Sequence, residues 1–149
     1  DNTVPRTLLS DPARKDLDAD NASLMLGPAT GYVIKFTNGL TVYLSGDTGL
    51  HAEMKTLDNE FHKANLMLLN LGYSAITAQA GAYAANELVR PASVIVSHVH
   101  EGATTAGKVR PTSHTAAFMG FVKGRPVYPV LSGKTMEFDG EGKCVVGCS

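Results

Sequence analysis

The stretch Gly31-Tyr32-Val33-Ile34-Lys35-Phe36-Thr37-Asn38-Gly39-Leu40-Thr41-Val42-Tyr43-Leu44-Ser45-Gly46-Asp47-Thr48-Gly49 holds two β-rich runs, 32–36 and 40–44, on either side of Thr37-Asn38-Gly39. Asn-Gly readily supplies the positive φ angles of a tight turn, so the stretch predicts a β-hairpin. Its second run ends in Ser45-Gly46-Asp47-Thr48-Gly49, where flanking glycine lets the backbone turn sharply and leaves the Asp47 carboxylate at the edge of the sheet. Taken alone, an acidic residue in a Gly-rich turn is more often a turn former or helix cap than a ligand.

Outward from this hairpin the pattern alternates. Met54, Leu57 and Phe61 recur at helical spacing among charged neighbours, which predicts an amphipathic helix over 50–62 with those three residues inward. A strand is expected at 66–71, then an Ala-rich helix over 80–89 that packs Tyr83, Leu88 and Val89 and stops before Pro91. Residues 93–97 are a continuous β-branched run of the buried-strand type. A polar loop over 99–111 leads to a helix capped by Ser113, with Ala117, Phe118, Phe121 and Val122 as its buried stripe. Three short strands, 127–131, 135–138 and 143–146, close the chain, the last two joined by a turn containing Asp-Gly. Upstream, residues 1–30 carry breaks at Pro5, Gly27 and Pro28 and an acidic stretch over 16–21, and read as a loop-rich covering segment. The expected organisation is one covering segment, 1–30, on one layered α/β unit, 31–149, with a mixed sheet covered by helices.

Composition sets outer bounds. A chain of 149 residues, 44% apolar and 18% charged, is long enough for one domain with a real core and too short for two ordinary ones. Its 13 basic and 14 acidic residues nearly cancel, and no run of Lys or Arg offers the footprint of a nucleic-acid groove. No stretch approaches the roughly 20 consecutive apolar residues of a membrane helix, so neither nucleic acid nor membrane is an expected partner. The chain starts at Asp1 without an initiator Met or a signal-like segment, so a processed or truncated start is expected and the compartment stays open, periplasmic or secreted included. Cys144 and Cys148 match neither a zinc ribbon nor a redox motif; a terminal disulfide and two unpaired small hydrophobes are both open readings.

A second metal-capable side chain, His98, follows the strand run Val94-Ile95-Val96-Ser97 and opens His98-Val99-His100-Glu101. If 97–101 stayed extended, His98 and His100 would share a face and both could approach a metal at about 2.0–2.1 Å. His100 and Glu101 are candidates for substrate contact or for a hydrogen bond to a ligand, with plain solvent exposure equally open. Lys108 and Arg110, in the same loop, could attract an anionic substrate, although a solvated pair of charges is the commoner outcome. His51 and His62, expected on the first helix, and His114, at a helix start, read as ordinary surface residues.

The ordered series of 31–36, Thr41-Val42-Tyr43-Leu44-Ser45-Gly46-Asp47-Thr48-Gly49, Leu66-Met67-Leu68-Leu69-Asn70-Leu71-Gly72 and Arg90-Pro91-Ala92-Ser93-Val94-Ile95-Val96-Ser97-His98 resembles the second half of metallo-β-lactamase-fold hydrolases, in particular the ascorbate-lactonase-like branch. The likeness covers roughly 31–138. It implies half of an αββα sandwich in which Asp47 binds or bridges metals and His98 completes the second metal position. It further implies one or two Zn²⁺ and hydrolysis of an ester, lactone, amide or phosphoester. The family's His-x-His-x-Asp-His cluster is absent from this sequence, so the resemblance implies a site completed by an N-terminal half or a second subunit. The competing expectation is a noncatalytic fragment or association domain of degenerate hydrolase fold.

Overall fold

The computed structural model describes residues 4, 6–25, 27–72, 75–99 and 101–148, Glu101 by its backbone alone. After helix α1 (Asp11–Ala19) come strands β1 (Tyr32–Lys35) and β2 (Thr41–Leu44), a π-helix (Met54–Phe61) and strand β3 (Leu66–Asn70). Helix α2 (Ala78–Tyr83) continues as a π-helical segment (Ala84–Val89) into β4 (Ser93–Ser97). The short strands β5 (Thr104–Thr105) and β6 (Lys108–Val109) precede α3 (His114–Phe121), β7 (Val127–Pro129), β8 (Glu137–Phe138) and β9 (Cys144–Val146).

The main sheet has five strands in the order β1-β2-β3-β4-β7. The β1–β2 pair is antiparallel and the other three pairings are parallel. The expected hairpin is present, with Gly39 at φ 97° in its turn. Asn65 ties the β1–β2 turn and the β8–β9 turn to the start of β3. Its side-chain oxygen accepts from the Thr41 amide at 3.0 Å, while its Nδ2 donates to the Gly39 and Gly140 carbonyls at 3.3 and 2.9 Å.

Period-two alternation divides the sheet into two unequal faces. On one, Tyr43, Met67, Leu69, Val94 and Val96 form a continuous core with Met54, Ala82, Ala85, Leu88, Val89 and Phe118 from the helices. Phe118 is fully buried, so its truncation to Ala would cost about 3–5 kcal/mol. On the other, the register aligns Tyr32, Leu44, Leu68, Ile95 and Tyr128 in one apolar row across all five strands, and none of them is buried. The terminal β8–β9 hairpin reaches one end of this row, where Phe138 sets its ring edge-on to Tyr128 at 5.7 Å. Cys144 and Cys148 are joined by a disulfide, which decides between the two open readings.

Several expectations need correction. Residues 1–30 are not simply loop-rich, since Arg6–Leu8 form a 3₁₀ turn and Asp11–Ala19 an α-helix that contributes no buried residue. The helix near residue 50 presents Met54 and Asp58 inward, while Leu57 and Phe61 are 50% and 72% exposed. The reason is its π geometry: bonding from residue i to i+5 widens each turn, so a four-residue step returns closer to the starting face than a three-residue step does. The next helix likewise turns Tyr83 outward, while Leu88 and Val89 are buried as expected. In α3, Ser113 is indeed the cap, accepting from the Ala116 amide at 3.0 Å, but Ala117 and Phe121 are exposed and Thr115 takes their place beside Phe118. His51 lies ahead of the π-helix and His62 at its C-cap, not within it.

Asp58 is the unexpected member of the interior, a carboxyl at 5% exposure. Burial raises its pKa from the ordinary 3.8 to about 6, opposed only in part by His51. The folded chain therefore binds this proton more tightly than the unfolded chain. That contribution to stability is present below pH 3.8 and is lost as pH rises through about 6. Asp58→Asn is expected to be more stable than the wild type at pH 8 by about 1–3 kcal/mol in urea unfolding, with the gap closing toward pH 4. A variant less stable at pH 8 would show that the carboxylate has a compensating partner.

Candidate functional site

The C-terminal ends of β2, β3 and β4 lie side by side, and the residues just beyond them converge. An open cavity of about 470 Å³ is lined by Leu44, Gly46, Asp47, Leu68, Asn70, Ser97 and His98. The structure thus brings the two sequence-predicted residues, 51 positions apart in the chain, into one place. Both are exposed. The cavity opens on the uncovered side of the sheet, since Leu44 and Leu68 belong to its apolar row and Asn70 follows Leu68 by one period.

The local backbone explains why each side chain arrives there. Gly46 sits at φ 56°, and a Cβ on it would lie 2.3 Å from the Thr30 carbonyl oxygen, so only glycine lets the chain pass this point and carry Asp47 over the strand end. The turn is locked from below, with the Thr48 hydroxyl donating to the Ser45 carbonyl at 2.8 Å and the Asn70 amide donating to Ser45 Oγ at 2.8 Å. His98 also adopts the left-handed region, φ 55°. For a non-glycine residue that conformation is costly and persists where the surrounding structure enforces it. Beyond the extended run, residues 101–103 form a 3₁₀ turn within the expected polar loop, so the condition under which His98 and His100 would share a face is not met. His100 lies outside the described residues, as does the side chain of Glu101.

Asn70, which sequence reasoning passed over, holds the site together. Its Nδ2 donates to Asp47 Oδ1, and its Oδ1 accepts from the Gly72 amide at 2.8 Å. The amide is therefore polarised along one line, from the Gly72 N–H to the Asp47 carboxylate, and it is buried at 4% exposure. Its signal in the sequence was a lone amide closing the apolar run Leu66-Met67-Leu68-Leu69. Such a group in a strand must find partners when it is buried.

Neither of the two cationic candidates, Lys108 and Arg110, lines this cavity. Arg110 lines a second cavity, about 160 Å³, with Leu71, Val99, Thr112, Ser113 and His114. Leu71 and Val99, which follow Asn70 and His98 in the chain, belong to or pack against the core on the helix-covered side. Burial holds the His114 imidazole below its ordinary pKa. Lys108 is exposed on β6 and lines neither cavity. Among the described residues, no group of three or more His, Cys, Asp or Glu is placed to hold a metal ion.

No family model matches the chain. It is similar to the UPF0173 metal-dependent hydrolase of Polaromonas sp., 34% identical over 113 residues, which are 75% of this chain and 40% of that relative. The UPF0173 metal-dependent hydrolase of Polynucleobacter asymbioticus is 32% identical over 130 residues, 85% of this chain and 42% of the relative. The chain therefore spans about 40% of the length of these curated relatives. Among solved structures, the metallo-β-lactamase fold protein YhfI of Bacillus subtilis superposes with a TM-score of 0.50 at 16% identity, over 74% of this chain and 50% of that one. The expected α/β architecture is borne out: the chain matches part of a metallo-β-lactamase fold, and its sequence is similar to UPF0173 metal-dependent hydrolases.

Replacing Gly46 with Ala forces a Cβ into the Thr30 carbonyl at an unfavourable φ. Gly46→Ala is expected to lose at least about 2 kcal/mol in urea unfolding. A variant of wild-type stability would show that the turn relaxes freely.

Proposed function

We propose that this chain supplies two ligands, Asp47 and His98, to the zinc site of a metal-dependent hydrolase, and that polypeptide outside the chain supplies the rest. One observation carries the reading: the incomplete donor set and the uncovered apolar row occupy the same face of the sheet. A second layer laid on that face would cover the row and bring further ligands to the cavity in a single step. The length of the relatives supports this, since this chain spans only about 40% of theirs. We place the missing histidines in an N-terminal half of the same protein or, failing that, in a second subunit.

The residues present fit a zinc ion as part of a set. A carboxylate and an imidazole are both ordinary zinc donors, and two of them leave room for the histidines and water that close a tetrahedral site. When bound, zinc supplies an activated water near neutral pH and polarises a carbonyl or phosphoryl oxygen. Asp47 contributes the negative charge that offsets the metal's, and the Asn70 amide fixes the carboxylate so that its second oxygen is free to face the cavity. His98, which lines the same cavity with its backbone in the left-handed region, would offer a ring nitrogen. Arg110, on the loop that follows His98, is the residue we assign to the substrate's anionic end, and an anionic ester, lactone, amide or phosphoester is the substrate class that follows.

In the complete protein, Asp47→Ala and His98→Ala are each expected to lower bound zinc and hydrolysis together, the latter by at least about 100-fold. Metal analysis and turnover of ester and phosphodiester chromogenic substrates provide the check, and full activity with normal zinc in either variant would rule the assignment out. Zinc-free complete protein that still associates with a partner chain would favour the noncatalytic association domain. Arg110→Ala is expected to raise KM for an anionic substrate about tenfold while leaving kcat nearly unchanged, since it removes uniform binding. An unchanged KM would remove Arg110 from the substrate's path.

A further inference from the structure

On the helix-covered side of the sheet, away from Asp47 and His98, a cavity of about 320 Å³ is lined by Val33, Tyr43, His51, Glu53, Leu57, Asp58 and His62 among others. Its chemistry is one-sided. Asp58, 5% exposed, makes no side-chain hydrogen bond and no ion pair with a Lys or Arg among the described residues. His62 Nδ1 is buried and likewise has no hydrogen-bond partner among them. Tyr43 presents a phenol oxygen 3.5 Å from His51 Nε2, and Glu53 accepts at the mouth from His51 Nδ1 at 3.2 Å. Buried acceptors without donors are uncommon in folded proteins, and each carries a desolvation cost until something supplies a proton.

We propose that this cavity is a binding site for a small primary alkylammonium ion. Such a head group carries three N–H donors and no acceptor, the complement of a carboxylate, a neutral imidazole nitrogen and a phenol oxygen. The carboxylate supplies the charge, and Val33 and Leu57 give a short alkyl chain apolar wall to lie against. The π-helix shapes the site, because its wide turn keeps Asp58 on the inward face with Met54 and rotates Leu57 further away from it than an α-helix would. Burial holds Asp58 near a pKa of about 6, as expected for a carboxylate whose charge lacks a full counterpart.

The groups facing Asp58 are Tyr43 on β2, His51 and Glu53 ahead of the π-helix, and His62 at its end. Protonation of Asp58 would remove the charge that holds a cation, so affinity should fall as pH drops through about 6. Titration of the protein with n-butylammonium, followed by the ring resonances of His51 and His62, tests the proposal. Saturable shifts are expected at pH 8, absent with the neutral isostere n-butanol, and weakened at least about tenfold in Asp58→Asn. The variant's circular dichroism confirms its fold; should it fail to fold, the comparison of butylammonium with n-butanol still decides. No saturable shift with butylammonium, equal binding of n-butanol, equal affinity in a folded Asp58→Asn, or Zn²⁺ moving the same resonances more tightly than the amine would each overturn it.

Discussion

One-sided burial governs this molecule. Five strands share a sheet, yet the helices that contribute to its core, from Met54 in the π-helix to Phe118 in α3, all meet the face that carries Tyr43, Met67, Leu69, Val94 and Val96. The opposite face keeps its apolar row from Tyr32 to Tyr128 largely open, with the terminal hairpin reaching it at Tyr128. A sheet of this kind gains its stability from one side and its reactivity on the other. The parallel pairing of β2, β3, β4 and β7 sends their C-terminal ends the same way, and loops leaving that edge necessarily crowd together.

That crowding is what turns Asp47 and His98 into a site. Each follows a strand through a left-handed residue, Gly46 in one case and His98 itself in the other, so each chain leaves the sheet abruptly rather than drifting into solvent. Between them Asn70 spends both halves of its amide, one on the Gly72 N–H and one on Asp47. The carboxylate is consequently oriented before any ligand arrives, which is the arrangement a metal site requires of the residues around its donors.

Much of this was legible in the residues. Asn38-Gly39 announced the hairpin, the β-branched run 93–97 announced a buried strand, and Ser113 announced the start of α3, because each depends on local conformational preference that acts within a few residues. Asp47 and His98 could be singled out because a charged or titratable side chain at the end of an apolar strand has few local reasons to be there. Asn70 was passed over, since nothing in the run Leu66-Met67-Leu68-Leu69-Asn70 says what its amide will meet. The inward face of the helix near residue 54 was misassigned for a related reason: hydrophobic spacing assumes an α-helical turn, and the wider π turn is settled by packing against the sheet.

The sequence by itself therefore determined the strands, the glycine turn at Gly46 and the identity of the two candidate donors, all consequences of short-range sterics and of alternation along a strand. Only the tertiary structure decided that two candidate donors 51 residues apart share a cavity, that Arg110 and Lys108 both lie outside its lining, and that Asp58 lies inside. Those outcomes follow from strand order and from which face the helices cover. Both are set by long-range pairing, which residue spacing along a single chain does not encode.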